Sequence, residues 1–469
     1  MAPDIRRFNP DADDEGLADL TGSLRGHGRT VEAAELRKHA SRADAWISIR
    51  GKVYDVSAFS AVHPGGDIVL TAAGKDATDV FAAFHQNTDS YKLLPGLYVG
   101  ELVEDVKAPG AGVAAIDGTT SVRSPEYLAD VVGMRQELQR QRLFDSSKPF
   151  YVYKVLFNLS LLVTSVALLR SFGSTLGGVV ASALVLALFW QQCGWLAHDF
   201  LHHQVFRNRA LGNAAGILIG NIWQGFSVSW WKTKHNHHHA VPNVVDALSG
   251  GDPDIHTTPV LLWSEKLIEG EDFASLPRWL MRNQWFLYWP ILCMARTSWV
   301  IQSLLFQAEP DSVYCSTKRM RYAEAAGLVM HHVGFLALSS YAGSWPLWLL
   351  FCTLSQGLGG LLIGVVFTVG HNAMEVLNDV DVSATDFVRL QVRTTRDVTP
   401  GLFNDWFTGG LGYQVEHHIW PTLPRHSLPA AARILRPFCA KYGIRYTCEG
   451  LVEGNVAVCR LLADLGRNL

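Results

Sequence analysis

Three short clusters of histidines are the residues of this chain most able to do chemistry. They read His-Asp-Phe-Leu-His-His at 198–203, His-Asn-His-His-His at 235–239 and Gln-Val-Glu-His-His at 414–418. Spacings of three, four or five residues place imidazoles on one side of a helix or of one of its turns. A neutral imidazole offers a lone pair to iron, zinc or copper. Because long apolar segments flank the clusters, the sequence predicts a multi-histidine metal centre held at a membrane.

Four apolar segments are candidate membrane spans. They are residues 150–170, 176–197, 322–343 and 345–370. A fifth stretch, 285–305, contains Arg296 and several tryptophans, which favours a helix lying in the membrane interface over a full span. Four spans with short connections put all three clusters on one face. Because nearly all Lys and Arg lie on that face, it is predicted to be cytoplasmic.

The composition agrees with a protein that is partly embedded in lipid. Of the 469 residues, 48% are hydrophobic and only 18% are charged, which is low for a soluble protein. The formal net charge is −3, so no nucleic-acid partner is expected. The seven cysteines form no Cys-x-x-Cys pair and indicate free thiols in a reducing compartment. The polar N-terminus does not have the pattern of a cleaved signal peptide.

Residues 31–105 have the composition of a compact soluble domain with a second pair of notable histidines. His63 begins the turn His-Pro-Gly-Gly, and His85 follows 22 residues later, after a Gly-Lys-Asp-Ala-Thr-Asp-Val run. This pattern resembles the cytochrome b5 family, which implies a small α+β domain that binds haem b through His63 and His85. The glycines of the turn would let the backbone approach the porphyrin closely. Two axial imidazoles leave no open position on the iron, so such a haem carries electrons.

The three clusters, together with the runs at 397–400 and 405–410, resemble the membrane fatty acid desaturases. The fused b5 domain and a third cluster that begins with Gln414 are typical of the front-end subgroup. The resemblance covers residues 31–105 and 150–450. It implies a multi-domain fold, in which the haem domain precedes an all-α integral membrane domain with four transmembrane helices and a cytoplasmic histidine-rich cap.

The resulting domain organisation has four parts. They are a polar N-terminal tail at 1–30, the haem domain at 31–105, a linker with an amphipathic helix at 106–148 and the membrane desaturase domain at 149–469.

The resemblance also implies that the histidines bind two irons that activate O₂. The implied ligands are His198, His202, His203, His235, His238, His239, His371, His417 and His418. Either or both of His202 and His203 would ligate, and Gln414 would act as a ligand or as a hydrogen-bonding neighbour. His237 is predicted not to be a ligand. Residues suited to orient the imidazoles are Asp199, Asn236, Asn372 and Glu416.

The number of imidazoles and the tethered electron carrier both favour iron over zinc. A structural zinc site needs four ligands, which typically include cysteine. Eight or nine imidazoles are enough for two six-coordinate ions with open positions. An electron carrier has no role beside redox-inert zinc, whereas iron needs two electrons for each O₂ that it activates.

The predicted activity is that of a front-end desaturase. It would introduce a cis double bond between an existing double bond and the carboxyl end of a polyunsaturated acyl chain. The runs at 195–199 and 230–232 resemble those of Δ6 desaturases, and this resemblance implies Δ6 activity on C18 linoleoyl and α-linolenoyl chains. The alternatives are Δ5 or Δ8 acyl desaturation, sphingolipid Δ8 desaturation and di-iron hydroxylation. Side chains that could hold the acyl head group are Lys232, Lys234, Asn243 and Arg393.

The predicted partners follow from the same resemblance. NADH-derived electrons would arrive through cytochrome b5 reductase, and the substrate would be a polyunsaturated acyl-CoA or acyl-phospholipid among membrane lipids. The expected location is the endoplasmic reticulum membrane, with the haem domain and the active site facing the cytosol. A histidine-rich membrane metal sensor or carrier is the non-enzymatic alternative.

Overall fold

The computed structural model describes residues 29–63, 65–85, 88–103, 124–245, 251–309, 318–378 and 385–469. The predicted tail at 1–30, apart from its last two residues, lies outside this part of the chain. The first half of the predicted linker segment and Pro64 of the haem-site turn also lie outside it.

The N-terminal domain is built around a five-stranded sheet. Its strands are β1 (Arg29–Glu32), β2 (Ala40–Ser41), β3 (Asp44–Ile49), β4 (Lys52–Asp55) and β5 (Tyr98–Val103), in the order β1-β5-β4-β3-β2. Strand β1 pairs with β5 in parallel, and the other pairs are antiparallel. The helices are α1 (Ala33–Leu36), α2 (Thr78–Phe84) and α3 (Thr88–Tyr91), with 3-10 turns at Gly66–Ala72 and Leu94–Leu97. The domain is α+β, as predicted.

The rest of the described chain is mainly helical. The helices up to the second histidine cluster are α4 (Pro125–Arg140), α5 (Lys148–Phe172), α6 (Leu176–Leu201), α7 (Arg209–Gly216), a π-helix (Ile217–Gln224) and α8 (Val228–Ala240). Next come α9 (Ser275–Arg282), α10 (Gln284–Cys293), α11 (Ala295–Ala308), α12 (Lys318–Ser339) and α13 (Trp345–His371). The last are α14 (Phe387–Thr394), α15 (Leu402–Phe407), α16 (Gln414–Ile419), α17 (Leu428–Lys441) and α18 (Leu451–Arg467). Two short parallel pairs join β6 (Val244–Val245) to β7 (Leu377–Asn378) and β8 (Asp397–Val398) to β9 (Cys448–Glu449).

Three helices of the described chain, not four, are long and apolar enough to cross a membrane. They are α5, α6 and α13. The prediction of a fourth span at 322–343 is therefore not supported, although α12 does form there. Glu324, His331 and His332 lie within α12 and lower its mean hydropathy. The contacts between the histidine clusters show directly that the clusters lie together. This conclusion does not depend on the number of membrane spans.

Buried polar contacts explain why α12 carries a carboxylate. Glu324 is fully buried and accepts hydrogen bonds from the hydroxyl of Ser227 at 2.6 Å and from the backbone N–H of Ser229 at 3.1 Å. The hydroxyl of Ser229 donates to the same carboxylate. A buried charge needs such donors to offset the loss of its hydration. Glu324 thereby fixes the first turn of α8, the helix that carries the second histidine cluster.

The stretch at 285–305 forms two short helices, α10 and α11, which meet at Met294. Neither is among the three apolar helices. Arg296, within this stretch, is buried in the protein. Its guanidinium lies 3.7 Å from the ring centre of Trp190 and donates to the backbone oxygen of Gln224 at 2.8 Å. Neutral acceptors and an aromatic face therefore accommodate this cation.

Candidate metal centre

Four helices bring the predicted ligands to one place. His198 lies in the last turn of α6, and the N–H of His202 donates to the oxygen of His198 at 2.9 Å, so both rings share one face. Helix α8 begins after Ser227, whose hydroxyl accepts from the N–H of Trp230 at 3.2 Å and caps the helix. His371 ends α13. The second cluster of α8 and the third cluster on α16 supply the other rings.

Eight of the nine predicted histidines converge in two groups. The first group consists of His198, His202, His235, His239 and His417, with ligand atoms within 4.8 Å of one another. The second group consists of His238, His371 and His418 and meets the same limit. All eight side chains are buried. The Nε2 atoms of His239 and His235 are 3.1 Å apart, as are those of His417 and His239.

Gln414 lies beside the second group. Its side-chain nitrogen is 2.7 Å from Nε2 of His371, and its side-chain oxygen has no hydrogen-bond partner within the described chain. Oxygen and nitrogen of an amide are assigned from the surrounding contacts. Rotating the amide would turn its oxygen toward the ring nitrogens, so the position suits either a ligand or a hydrogen-bonding neighbour.

His203 lies outside both groups of the described histidines. Its backbone has a φ of 58°, and its Nε2 atom is 3.3 Å from Nζ of Lys232. Lys232 in turn donates to the side-chain oxygen of Asn213 at 2.7 Å. Of these two neighbouring histidines, His202 therefore belongs to the first group and His203 does not. His237 also lies outside the two groups of described histidines, and its predicted role as a non-ligand stays a prediction.

Two further observations indicate that the two histidine groups are suited to hold two metal ions. Several buried ring nitrogens have no hydrogen-bond partner in the described chain, so these rings have an unused position toward a metal ion: both nitrogens of His198, Nε2 of His202, Nδ1 of His239, Nδ1 of His417 and Nε2 of His418. Burial also lowers the pKa of His235, His239 and His418 well below the ordinary value, so these rings are neutral. Neutral imidazoles with free lone pairs are suited to bind metal.

Three hydrogen bonds orient the rings of the second group. Nδ1 of His238 is 2.9 Å from the carboxylate of Asp252, and Nδ1 of His418 is 2.9 Å from the side-chain oxygen of Gln391. Nδ1 of His371 is 3.3 Å from the backbone oxygen of Thr394. A proton on Nδ1 leaves Nε2 as the ligating atom. Sequence reasoning missed Asp252 and Gln391, because neither lies in a cluster and no spacing connects them to one.

Two of the residues predicted to orient imidazoles are held by charged or hydroxyl partners. Asp199 forms a buried ion pair with Arg425, at 2.5 Å, and its carboxylate is 3.6 Å from Nδ1 of His198. The hydroxyl of Tyr446 lies 2.7 Å from the carboxyl group of Glu416, and it also contacts the carboxyl group of Asp397. Burial raises the pKa of Asp397 to about 6 and raises the pKa of Glu416. These contacts fix α16 behind the first group.

Asn372 and Asn236, the other two residues predicted to orient imidazoles, are less directly connected to the histidine rings. The side chain of Asn372 lines the cavity described below, and its backbone oxygen accepts from Arg396 at 3.0 Å. Asn236 is half-buried on α8 between two histidines.

The geometry at His63 and His85 fits an iron with two axial imidazoles. The ring centres are 6.1 Å apart, which leaves room for one metal ion, because each metal–nitrogen bond is about 2 Å long. Nδ1 of His63 is 3.1 Å from the oxygen of Gly66, and Nδ1 of His85 is 3.0 Å from the oxygen of Phe81. Both Nε2 atoms are thus the available ligands. A Cβ atom on Gly65 would lie 2.7 Å from the ring of His63, which explains the glycine.

A cavity of about 220 Å³ opens beside the two histidine groups. Its wall includes His235, His238 and His371, and otherwise is largely apolar and aromatic. Lys234 and Asn243 also line it. Arg393 is instead paired with Glu375 at 2.5 Å, and Lys232 is bound to Asn213.

Two family models match this chain. A model of the cytochrome b5-like haem/steroid binding domain matches residues 32–103. The fatty acid desaturase model matches residues 174–450, more than half of the chain. The chain belongs to the fatty acid desaturase family. This desaturase therefore has a cytochrome b5-like haem domain fused to its N-terminal side.

Relatives of this desaturase are similar over most of their length. An acyl-lipid (9-3)-desaturase of Physcomitrium patens is 38% identical over 439 residues, which cover 93% of this chain and 78% of the relative. A Delta(8)-fatty-acid desaturase of Euglena gracilis is 33% identical over 434 residues, covering 90% and 95%. A Delta(6)-fatty-acid desaturase of Caenorhabditis elegans is 30% identical over 418 residues, covering 87% and 93%.

These comparisons confirm the predicted family, the predicted enzyme class and the predicted cofactors. The protein is an oxidoreductase of the front-end desaturase group. Its b5-like domain is a haem domain, and desaturases of this family use two irons, with which the histidine groups agree. The names of the relatives specify different double-bond positions. The predicted Δ6 selectivity therefore stays a prediction.

Replacing Asp252 with alanine should weaken iron binding about 10- to 100-fold, the usual cost of losing a residue that orients a metal-bound histidine. Iron retained by the purified protein against increasing chelator concentrations measures this effect. Asp272→Ala is the matched control, because Asp272 is exposed and pairs only with Arg278 among the contacts seen, at 2.8 Å. Equal iron retention by the two variants would show that Asp252 does not orient His238.

Proposed function

We propose that the two histidine groups hold the two irons of this desaturase. The first iron would be bound by His198, His202, His235, His239 and His417. The second would be bound by His238, His371 and His418, with Gln414 beside them. The observation that carries the proposal is the convergence of eight buried imidazoles in two groups, in which several ring nitrogens have no hydrogen-bond partner in the described chain. When bound, the irons supply the activation of O₂ that removes two vicinal hydrogens from an acyl chain.

The cavity beside these groups is suited to receive the acyl chain. The ring centre of Trp299 lies 5.8 Å from that of Trp230 and 5.7 Å from that of Phe367, and all three side chains line the wall. An aromatic, apolar wall favours methylene groups over water. A chain lying along this wall would pass the ring of His235. The protein would thus orient a methylene pair at the ligands and exclude water from it.

The new double bond is proposed to lie between an existing double bond and the carboxyl end, at carbon 6 of C18 linoleoyl and α-linolenoyl chains. The front-end relatives named for (9-3) and Delta(6) desaturation support this position. Lys234 and Asn243 are the proposed contacts of the acyl head group, because both line the cavity. Relatives named for Delta(5) and Delta(8) desaturation keep those positions as alternatives.

The electrons are proposed to come from NADH through cytochrome b5 reductase to haem b at His63 and His85. Each double bond would consume one O₂, two electrons and two protons besides the two hydrogens of the chain, and would release two waters. The proposed location is the endoplasmic reticulum membrane, with the haem domain and the iron site on the cytosolic side. The three apolar helices and the membrane-bound family support a membrane location.

Expression in yeast fed linoleic, α-linolenic or dihomo-γ-linolenic acid tests the regiochemistry. The expected products are the two C18 acids with two hydrogens fewer and a new bond at carbon 6, located by mass spectrometry. Conversion of dihomo-γ-linolenic acid would indicate Δ5 activity instead. A new bond at carbon 8 of a separately fed C20 acid whose first double bond is at carbon 11 would indicate Δ8 activity. A gain of one oxygen atom would indicate a hydroxylase. Separate analysis of the CoA and phospholipid pools at early times identifies the acyl carrier.

A further inference from the structure

The haem domain packs against the desaturase part through a small apolar contact. Five buried residues form the receiving surface, here called the docking patch: Ala240, Val241, Val244, Leu377 and Leu390. Ile68, Val80 and Phe84 of the haem domain pack against it. Ile68 lies close in sequence to His63, and Phe84 directly precedes His85. The haem-binding edge of the domain is therefore the edge that faces the docking patch.

Two arginines hold the same edge by hydrogen bonds. Nη1 of Arg135, on α4, donates to the backbone oxygen of Ala82 at 3.0 Å. Nη2 of Arg209, at the start of α7, is 3.5 Å from the backbone oxygen of Phe84. Both oxygens belong to the last turn of α2, where carbonyls lack helical partners and the helix dipole attracts cations. The contact between the haem domain and the desaturase part thus combines apolar packing at the docking patch with hydrogen bonds from two charged arginines.

Phe84 also connects the two candidate metal sites. Its ring centre lies 6.4 Å from that of His239, at an angle of 87° between the planes. His239 belongs to the first histidine group, and the chain neighbour of Phe84 is the candidate haem ligand His85. The ring of Phe84 is therefore close to a proposed iron ligand, while the next residue in the chain is a proposed haem ligand. Electron tunnelling slows steeply with distance, so this arrangement favours transfer between the two sites.

We propose that this docked arrangement is the one that delivers electrons, and that Phe84 is the positioning residue that sets it. The inference rests on the proposed function, in which the haem domain supplies the iron site. In each transfer one electron leaves ferrous haem, which becomes ferric, and the iron site gains that electron. An NADH-dependent flavin reductase returns one electron to the haem. Two transfers supply the two electrons consumed with each O₂.

The Phe84→Ala variant tests the positioning role in the full-length holoenzyme. Haem reduced without oxygen is mixed with O₂ and acyl substrate, and its reoxidation is followed by rapid-mixing absorbance. Phe84→Ala should slow reoxidation at least about tenfold, since small misplacements of reacting groups cost up to about 100-fold. Phe84→Tyr keeps the ring and should restore the rate. Val62→Ala is the matched control, because Val62 is 49% exposed and lies beside His63.

Two further measurements separate docking from damage to the haem. Hydrogen exchange of the α14 amides, at Phe387–Thr394, should become faster in Phe84→Ala, because Leu390 loses its cover. The midpoint potential and the haem content should stay at their wild-type values. If Phe84→Ala does not retain haem, Phe84→Leu, which keeps an apolar side chain, takes its place under the same criteria.

The outcomes distinguish this inference from the proposed function. Slower reoxidation with faster exchange and an unchanged potential supports the positioning role of Phe84. Wild-type rates of both reoxidation and exchange overturn it, and so does slower reoxidation that is accompanied by a shifted potential. A wild-type holoenzyme whose haem is not reoxidised by O₂ and acyl substrate would instead overturn the proposed electron route itself.

Discussion

Replacing His418 with alanine is expected to reduce desaturation more than about 100-fold and to remove iron from the protein, because losing a ligand should cost more than losing a residue that only orients one. His418 is one of only three histidines in the second group, and Gln391 already fixes its Nδ1 atom. Its Nε2 atom has no other partner in the described chain. Iron per protein, measured together with product formation in yeast, gives the result.

His237→Ala is the control for this experiment. His237 lies on α8 directly before the proposed ligands His238 and His239 but outside both groups. The variant should retain two irons per protein, the number proposed for the wild type. Loss of iron in His237→Ala, or full iron in His418→Ala, would contradict the proposed ligand set.

Replacing His63 with alanine is expected to abolish turnover that depends on the chain's own haem, while both irons remain bound. The ring of His63 faces that of His85 at 6.1 Å, so its loss removes one of two axial ligands. No side chain of the two histidine groups is altered. Haem absorbance, iron content and product formation are measured on the same preparation.

His39→Ala is the matched control within the same domain. His39 stacks on Trp46 at 3.5 Å and pairs with Asp44, in contacts separate from the haem-site turn. This variant should bind haem and turn over like the wild type. Undiminished turnover of His63→Ala without added cytochrome b5 would refute electron delivery by the fused domain.

Much of the candidate site could be predicted because its residues lie close together in sequence. Histidines at i, i+3 and i+4 of a helix share a face whatever the helix packs against, as on α8. His417 and His418 are adjacent on α16, so this one short helix supplies a ring to each group. Asp252 and Gln391 could not be predicted, since they reach the rings only through the packing of distant segments. The choice between His202 and His203 also needed the geometry of the turn after α6.

The prediction of four spans was wrong because it considered only the length of the apolar segment at 322–343. It did not consider what the polar side chains within that segment contact. The segment at 322–343 is a helix, but Glu324 and His331 within it are buried against other protein groups. Glu324 contacts the start of α8, and His331 contacts the backbone oxygen of Ile222 at 3.0 Å. A sequence window cannot show whether a polar side chain faces lipid or protein.

The carboxylate of Glu324 has a consequence for how this chain can change over evolutionary time. It receives the hydroxyls of Ser227 and Ser229, and Ser227 also caps the helix that carries four histidines. Removing either serine alone leaves part of the buried Glu324 carboxylate without a hydrogen-bond donor. Removing the carboxylate alone leaves the two serine hydroxyls without their acceptor. Substitutions at positions 227, 229 and 324 should therefore occur together in related sequences. A replacement at one of the three positions alone should be rare, because it leaves a buried polar group without its partner.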